Sequence, residues 1–277
     1  MSAPAENAQL ALLLEVAGTP KPGNVDRHRE YPTLRFEHFL AGAVGARDGL
    51  EALADPETSL GAAFERAIAG MSRQTGGNTQ FGAILLLAPL VRAATRDGDL
   101  LDAAAAVVDE TTVRDAIGFY AAFDHVEVSV PEPPESGSFP DVRRGSDAAA
   151  ALREAGVTLA DIMAGSADRD GIAAEWIDGF PRTAAVADRL LEGTGPVCDR
   201  TATAYLEQLA AEPDTFVVTQ HDRETAREVR DRAASLLDGG DVSAFAEGLV
   251  DRGINPGTTA DVIAGGLFCA LDGGLEV

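Results

Sequence analysis

The chain has 277 residues, enough for one large domain or two small ones, and 45% of them are hydrophobic. Its formal net charge of −23 comes from 45 acidic against 22 basic side chains. A charge of this sign and size repels nucleic-acid phosphates and anionic membrane surfaces, so neither is an expected partner. The high acid content, with little lysine and much alanine, predicts a protein adapted to high salt, in which most carboxylates only solvate the surface.

Features that would place the protein outside the cytoplasm are missing from the sequence. Two cysteines, Cys198 and Cys269, are too few for a disulfide framework. The opening MSAPAENAQL lacks the basic and apolar regions of a secretion signal. The longest apolar run, at 82–91, is too short to span a bilayer. We therefore expect a cytoplasmic protein.

Apolar residues recur at intervals of three and four along most of the chain, which predicts helices. The first helix is expected to end at Gly18, and the later ones to cover 36–44, 60–74, 78–94, 99–109, 111–123, 145–155, 168–193, 199–211, 221–237, 241–252 and 257–271. The alternating segment 125–130 is a short strand candidate, and the Pro/Gly/Ser-rich segment 131–141 is a candidate mobile connection. We predict a single all-α domain over residues 1–277.

The segment TPKPGNVD (19–26) follows the first helix, and its two prolines and Gly23 predict a rigid loop. It contains Lys21, the only lysine among the 22 basic residues. Where arginine has replaced lysine everywhere else, a retained lysine indicates a compact charge on a phosphate, or a group that loses its proton. Lys21, Asn24 and Asp26 are therefore candidate site residues. The alternative is a plain helix stop followed by a turn.

The segment GGNTQFGA (76–83) places two glycines before a predicted helix start. Free N–H groups at a helix N-terminus attract phosphate, and glycine lets a ligand come close to the backbone. Gly76, Gly77, Asn78 and Thr79 are therefore candidate phosphate ligands. A helix end followed by a new N-cap is an equally adequate interpretation of this segment alone.

Two later segments carry acidic residues that could serve a metal or a reaction. In ADRDGIAAEWIDGFP (167–181), Asp168 and Glu175 are seven residues apart and would share one face of a helix. Such carboxylates can hold Mg²⁺ beside phosphates, although a solvated acidic surface would show the same pattern. In INPGTTAD (254–261), Asp261 lies in the first turn of the last helix, where the helix dipole alone would explain it.

Taken in order, the segments LLLEVAGTPKPGNVD, GGNTQFGAILLLAPLVRAA, the carboxylate helix ending in GFP, and INPGTTADVIAGGLF resemble the triphosphoribosyl-dephospho-CoA synthase family. The resemblance covers residues 10–270 in outline. It implies an all-α enzyme that moves the triphosphoribosyl group of ATP to the 2′-hydroxyl of 3′-dephospho-CoA and releases adenine. It also implies small-molecule substrates, ATP and dephospho-CoA or a related acceptor, with Mg²⁺ as the inferred cofactor.

The resemblance assigns expected roles to the candidate residues. Nucleotide binding is expected of Lys21, Asn24, Gly76, Gly77, Asn78 and Thr79, catalysis of Asp26, Asp168 and Glu175, and metal binding of Asp168 and Asp261. Gln80 and Phe81 stand where the family usually has a His and a Lys, and its His-x-Asp-Met segment is not recognisable in HREYPTLRFEHF. The chain thus resembles a divergent, haloarchaeal branch.

Two alternative functions stay open. One is a sister nucleotide-dependent transferase with a different acceptor in cofactor biosynthesis, and the other is a non-catalytic nucleotide-binding protein. A homo-oligomer is compatible with each of them.

Overall fold

The computed structural model describes residues 3–130 and 139–277. The described residues contain no strand, so the predicted all-α class is confirmed. These two ranges contain sixteen α-helices and two short 3-10 helices: α1 (Pro4–Ala17), α2 (Phe36–Gly45), α3 (Arg47–Ala54), α4 (Leu60–Met71), α5 (Phe81–Ala93), α6 (Leu100–Asp109), α7 (Val113–Ala121), a 3-10 helix (Ala122–Asp124), a second (Val142–Ala148), α8 (Ala149–Ala155), α9 (Leu159–Ala164), α10 (Gly171–Asp178), α11 (Pro181–Glu192), α12 (Val197–Ala211), α13 (Thr215–Gln220), α14 (Arg223–Ala234), α15 (Val242–Asp251) and α16 (Gly257–Asp272).

Helices α5 and α16 form the centre of the fold. Helix α16 packs against α1, α5, α11 and α12, and α5 also packs against α3, α4 and α6. Both central helices bury most of their side chains, as a helix that is apolar all round must. The residues at their N-termini are consequently held near the interior of the protein, and these termini carry two of the candidate segments.

The largest difference from the expected helices lies in the segment predicted as one helix over 168–193. Asp170 accepts hydrogen bonds from the N–H groups of Ile172 and Ala173, at 2.8 and 2.9 Å, so α10 begins only at Gly171. Phe180, with φ at 62°, then separates α10 from α11. The prediction that Asp168 and Glu175 share a helix is therefore wrong, because Asp168 lies in the turn before the cap.

Two smaller expectations concern the segment 125–141. The strand candidate at 125–130 forms no strand within the described residues, so this prediction is wrong; a short alternating segment is not stable as a strand without a paired partner. The candidate mobile connection falls largely on 131–138, outside the described residues. Across the described ranges, no helix combines the length and apolar character that crossing a membrane requires.

Candidate active site

Two loops meet beside the start of α16. The first, called the proline loop, is 18–26, and the second, called the asparagine loop, is 253–256. Gly23 has φ at 74°, and a Cβ at this position would overlap the carbonyl oxygen of Ile254. Only glycine satisfies both the backbone angle and this close approach, so the two candidate segments are neighbours in space.

Two tyrosine hydroxyls bridge these loops. The Tyr31 hydroxyl lies 2.6 Å from the carbonyl oxygen of Gly23 and 3.2 Å from that of Ile254. The Tyr205 hydroxyl, from α12, lies 3.1 Å from one carbonyl of the proline loop and 3.3 Å from one of the asparagine loop. The relative position of the loops is thus fixed from two sides.

Lys21 provides the positive charge of the proline loop, and its side chain has no exposed surface. Its Nζ donates to the carboxylate of Glu15 in α1 and to Oδ1 of Asn24 at 3.3 Å, and it lies 5.7 Å from the ring centroid of Tyr205. Burial raises the pKa of Glu15, and the neighbouring ammonium group opposes that rise. A phosphate could touch Lys21 only after the proline loop opened.

Asp26 and Asn24 also hold the loops in place. The buried Asp26 carboxylate accepts hydrogen bonds from the N–H groups of Lys21 and His28 at 3.0 and 2.8 Å, and from Nη1 of Arg29 at 3.2 Å. Asn24 donates from Nδ2 to Oδ1 of Asn255 at 3.0 Å. Both predicted site residues therefore lie in the site region, with their oxygens engaged in loop contacts.

The glycine-rich segment 76–83 leads into α5 as expected. Oδ1 of Asn78 accepts a hydrogen bond from the N–H of Phe81 at 3.0 Å, so this residue caps the helix start. Gly77 has φ at 76° and nothing within 4 Å of where a Cβ would stand, so a ligand can approach its Cα, while its carbonyl oxygen accepts a hydrogen bond from Nε2 of Gln74 at 2.6 Å. Among the described residues, Thr79 Oγ1 and Gln80 Oε1 are buried polar atoms without a hydrogen-bond partner.

Asp261 joins the N-termini of the two central helices. Its carboxylate lies against Gly82, where a Cβ would overlap it, and it accepts a hydrogen bond from the N–H of Ala83. Burial raises the pKa of Asp261 well above its usual range, and the negative charges of Glu15, Asp214 and Asp170 add to the rise. Asp261 is thus an acidic group held near other carboxylates at the positive end of α5.

The neighbouring buried carboxylates serve instead as helix caps. Asp214 accepts from two N–H groups of α13 at 2.8 and 3.0 Å, and from the N–H and hydroxyl of Thr259 in α16 at 2.7 and 2.8 Å. Glu175 accepts from the N–H groups of Arg182 and Thr183, at 3.1 and 2.9 Å, at the start of α11. These oxygens are occupied by backbone donors.

The structure therefore brings together part of the predicted set. Lys21, Asn24, Asp26 and Asp261 lie around the joined loops and the starts of α5 and α16, and the segment 76–79 leads into the same place. Glu175 is completely buried as the cap of α11, and Asp168 lies in an exposed turn. Within the described ranges, no group of three or more His, Cys, Asp and Glu side chains is arranged to hold a metal ion.

Sequence reasoning missed Glu15, Gln80 and Tyr205. A signal for Glu15 was present, since it is a single charge within the apolar run LLLEVA, six residues before Lys21. Gln80 stood beside the predicted phosphate ligands. Nothing in the local sequence marks Tyr205, because its partners are more than fifty residues away on either side.

Comparison with known proteins agrees with the arrangement of these segments. Among curated proteins, none matches this sequence. A solved structure from Archaeoglobus fulgidus, which carries the provisional name triphosphoribosyl-dephospho-CoA synthase, is similar with a TM-score of 0.70 and 27% identity over 86% of this chain and 100% of that chain. The sequence also matches the CitG family, described as ATP:dephospho-CoA triphosphoribosyl transferase, over residues 1–275. Because this match spans nearly the whole chain, the protein belongs to the CitG family of transferases, and the resemblance of its four segments is confirmed.

Proposed function

We propose that this protein transfers the triphosphoribosyl group of ATP to the 2′-hydroxyl of 3′-dephospho-CoA, where α5 and α16 begin. The observation that carries the proposal is the position of Asp261. Its carboxylate faces the N-terminus of α5, at the end of the glycine-rich segment and near the buried Glu15–Lys21 pair. The proposal is supported by the proximity of a carboxylate, a glycine-rich helix start and two fixed loops.

The reaction breaks one bond at the ribose and forms another. The bond between C1′ and adenine breaks with its electron pair going to adenine, which takes up a proton as it leaves, and C1′ gains oxocarbenium character. The acceptor 2′-oxygen then bonds to C1′ and loses its proton, which balances the proton taken up by adenine. A nearby carboxylate stabilises the positive charge at C1′, and a carboxylate with a raised pKa is suited to accept the hydroxyl proton. We assign these tasks to Asp261.

The triphosphate is proposed to bind over the glycine-rich segment. A ligand can approach the Cα of Gly77, and the helix dipole of α5 favours negative charge at this end. The hydroxyl of Thr79 is buried beside Gly42 and lacks a partner among the described residues, so a small local movement that admits a phosphate oxygen would supply one. Gly76 and Asn78 shape the turn that presents these groups.

Mg²⁺ is proposed to enter with ATP and to lie near Asp261, held chiefly by the phosphate oxygens so that the carboxylate stays available for the hydroxyl proton. Mg²⁺ usually takes only one or two carboxylates, with phosphate oxygens and waters completing its shell, so one carboxylate suffices. The negative charges that raise the pKa of Asp261 also favour a cation beside it. When bound, the ion offsets the charge of the triphosphate. Asp168, in its exposed turn, is not included in this site.

Lys21, Asn24 and Asp26 are proposed to act by positioning. Lys21 is buried, and its bonds to Glu15 and Asn24 fix the proline loop against α1. A compact ammonium group fits this enclosed place, whereas the planar fork of arginine needs more room and more acceptors. The retained lysine is thus explained without a direct phosphate contact.

The proposal is tested by incubating the protein with ATP, Mg²⁺ and dephospho-CoA and measuring free adenine. The wild type should release adenine only when the acceptor is present. Asp261→Asn should lower the rate at least a hundredfold, since a general base or charge stabiliser contributes about 10²–10⁴-fold. Asp272→Asn is the matched control, because this residue is also half-buried and lies at the other end of α16. Full activity in Asp261→Asn would contradict the assignment.

Gln80 and Phe81 favour a second candidate, a sister transferase that uses another acceptor. These residues stand where the family usually has a His and a Lys, and the Gln80 side-chain oxygen has no partner among the described residues. Adenine release that requires a cell extract but not dephospho-CoA would support this candidate. ATP binding without turnover in either assay would favour the non-catalytic alternative.

A further inference from the structure

A cavity of about 240 Å³ lies outside the catalytic region and is lined by three arginines, Arg169, Arg223 and Arg227. Arg169 lies in the turn before α10, and the other two lie one helical turn apart at the start of α14. Asp168, Thr215 and Val218 also line the cavity. A cavity of this size holds much more than a single water molecule.

The three guanidinium groups are without close partners in a protein that has an excess of acid. The chain carries 45 acidic against 22 basic side chains, yet within the described ranges none of the three side chains makes an ion pair or side-chain hydrogen bond, and the carboxylates nearest to Arg169 are those of Asp168 in the cavity lining and Asp170. Three positive groups around one cavity repel each other and attract an anion. By contrast, Arg230 in α14 and Arg252 at the end of α15 each form an ion pair with a carboxylate.

The position of Arg223 also indicates that its guanidinium group binds an anion. It is the first residue of α14, where a positive charge opposes the helix dipole. The adjacent Asp222 already caps the helix by accepting from the N–H of Thr225 at 2.7 Å, so Arg223 contributes nothing to the cap. An arginine that is unfavourable for its own helix is explained if its guanidinium binds a ligand.

The cavity is linked to the proposed catalytic region through Thr215. Its hydroxyl lies 3.0 Å from the hydroxyl of Thr258, in the first turn of α16, and accepts from the N–H of Gly171 at 3.0 Å. Thr258 is three residues before Asp261 and therefore on the same side of that helix. The cavity is therefore adjacent to the first turn of α16, with the hydrogen-bonded pair of Thr215 and Thr258 between them.

We propose that this arginine cavity binds a diphosphate group of one of the two nucleotide substrates. This inference rests on the proposed function, which supplies two nucleotides that both carry a diphosphate. Arginine suits this task, because its planar fork donates two parallel hydrogen bonds to phosphate oxygens. Asp168 also lines the cavity, where it lowers the net positive charge of the lining without an ion pair to any of the three arginines.

The direct test uses inorganic pyrophosphate as the probe, with no turnover. Calorimetric titration at fixed ionic strength compares wild type with the double variant Arg223→Gln/Arg227→Gln. The matched control is Arg230→Gln/Arg232→Gln, which removes the same charge from the same helix outside the cavity. We expect the first variant to lose about tenfold or more in affinity, since a hydrogen bond to a charged group is worth about one decade. The control should bind as the wild type does. Equal binding by all three proteins, or no saturable binding by the wild type, would overturn the inference.

A second arm identifies the source of the diphosphate. Affinities for ATP and for dephospho-CoA are measured separately with the same proteins, whose thermal unfolding midpoints confirm that they are folded. A selective loss for dephospho-CoA assigns the cavity to the acceptor, whereas a selective loss for ATP assigns it to the triphosphate and overturns the placement of that group over the glycine-rich segment. Loss of pyrophosphate binding with neither nucleotide affected would overturn the substrate role. If adenine release fails in wild type while the arginines still bind pyrophosphate, the proposed function fails and the anion site stands.

Discussion

At the scale of single residues, the buried ion pair of Lys21 and Glu15 holds the proline loop against α1. A buried charge is costly unless it is paired and hydrogen-bonded, and each of these groups supplies the partner of the other. Lys21 also bonds Asn24, whose amide continues to Asn255 in the asparagine loop. The pair thus connects α1 to both loops of the candidate site.

Removing one member of the pair should be far more damaging than removing both charges. Lys21→Met leaves Glu15 buried without a counter-charge, and we expect a loss of about 3–5 kcal/mol in the free energy of unfolding at neutral pH. Adding Glu15→Gln to that variant should restore much of the loss. Urea unfolding of the two single variants and the double variant measures the coupling. Additive effects would show that the two groups do not interact.

A pH dependence of stability should follow from Asp261. Because its folded-state pKa lies above the unfolded value of about 3.9, the folded protein binds this proton more tightly than the unfolded chain. The stability associated with this group is therefore present below the unfolded pKa and is lost as the pH rises through the folded pKa. Asp261→Asn removes this loss, so the variant should be more stable than wild type at neutral pH, with the difference shrinking toward pH 4. A stability difference that stays constant with pH would contradict this account.

At the scale of helices, buried carboxylates mostly serve to begin a helix. Asp214 caps α13 and also receives the N–H of Thr259 in α16, so one side chain fixes two helices relative to each other. Glu175 does the same for α10 and α11 across the bend at Phe180. Asp261 likewise receives the N–H of Ala83 in α5, but it lies among three other carboxylates whose negative charges add to the rise of its pKa. This electrostatic setting separates the candidate reactive carboxylate from its structural neighbours.

The close contact between α5 and Asp261 gives a test at the scale of the element. Gly82→Ala places a Cβ where the Asp261 carboxylate lies, so the carboxylate must move, and we expect adenine release to fall at least tenfold. Gly248→Ala in α15 is the matched control, since nothing lies within 4 Å of its Cβ position. The control should keep full activity and gain about 0.5–1 kcal/mol in stability, because alanine is the better helix former. Equal activities of the two variants would argue against a role for this contact.

The helices show why sequence patterns succeed in some places and fail in others. Helix α5 was predictable, because its segment is apolar on every side and long enough for three helical turns. A helix of this kind is stable only when it is buried in the core. Helix α13, with the sequence TFVVTQ, was missed because its β-branched residues favour strands, and only the Asp214 cap and its tertiary contacts make it helical. In α13, the preference of its residues for a strand is outweighed by contacts with a helix distant in sequence.

The candidate site was predictable to the same limited extent. Lys21 and Asp261 were found because their loops carry prolines, glycines and caps that are visible locally. The partnership of Glu15 with Lys21 and the bridges made by Tyr205 depend on burial and on contacts between distant segments. The capping role of Glu175 was hidden for a different reason: with 45 acidic residues, the sequence does not distinguish a buried cap from a surface carboxylate.

At the scale of the whole molecule, the excess of negative charge should make stability depend on salt. Like charges at a net of −23 repel one another in the folded protein, and added salt screens that repulsion. We expect the thermal unfolding midpoint to rise as NaCl is added at neutral pH. The rise should be smaller at lower pH, where carboxylates are protonated. A midpoint that falls or stays constant with NaCl would contradict the predicted adaptation to high salt.

The central place of α16 has a consequence for how the chain folds during synthesis. The helix against which α1, α5 and α11 pack is made after all of them, so their apolar faces stay uncovered until residue 272 has left the ribosome. Closure of the core is consequently a late step that joins the earliest and latest helices of the described chain. A chain that stops before residue 257 keeps these faces exposed, and it becomes a substrate for chaperones and proteases instead of a partly active enzyme.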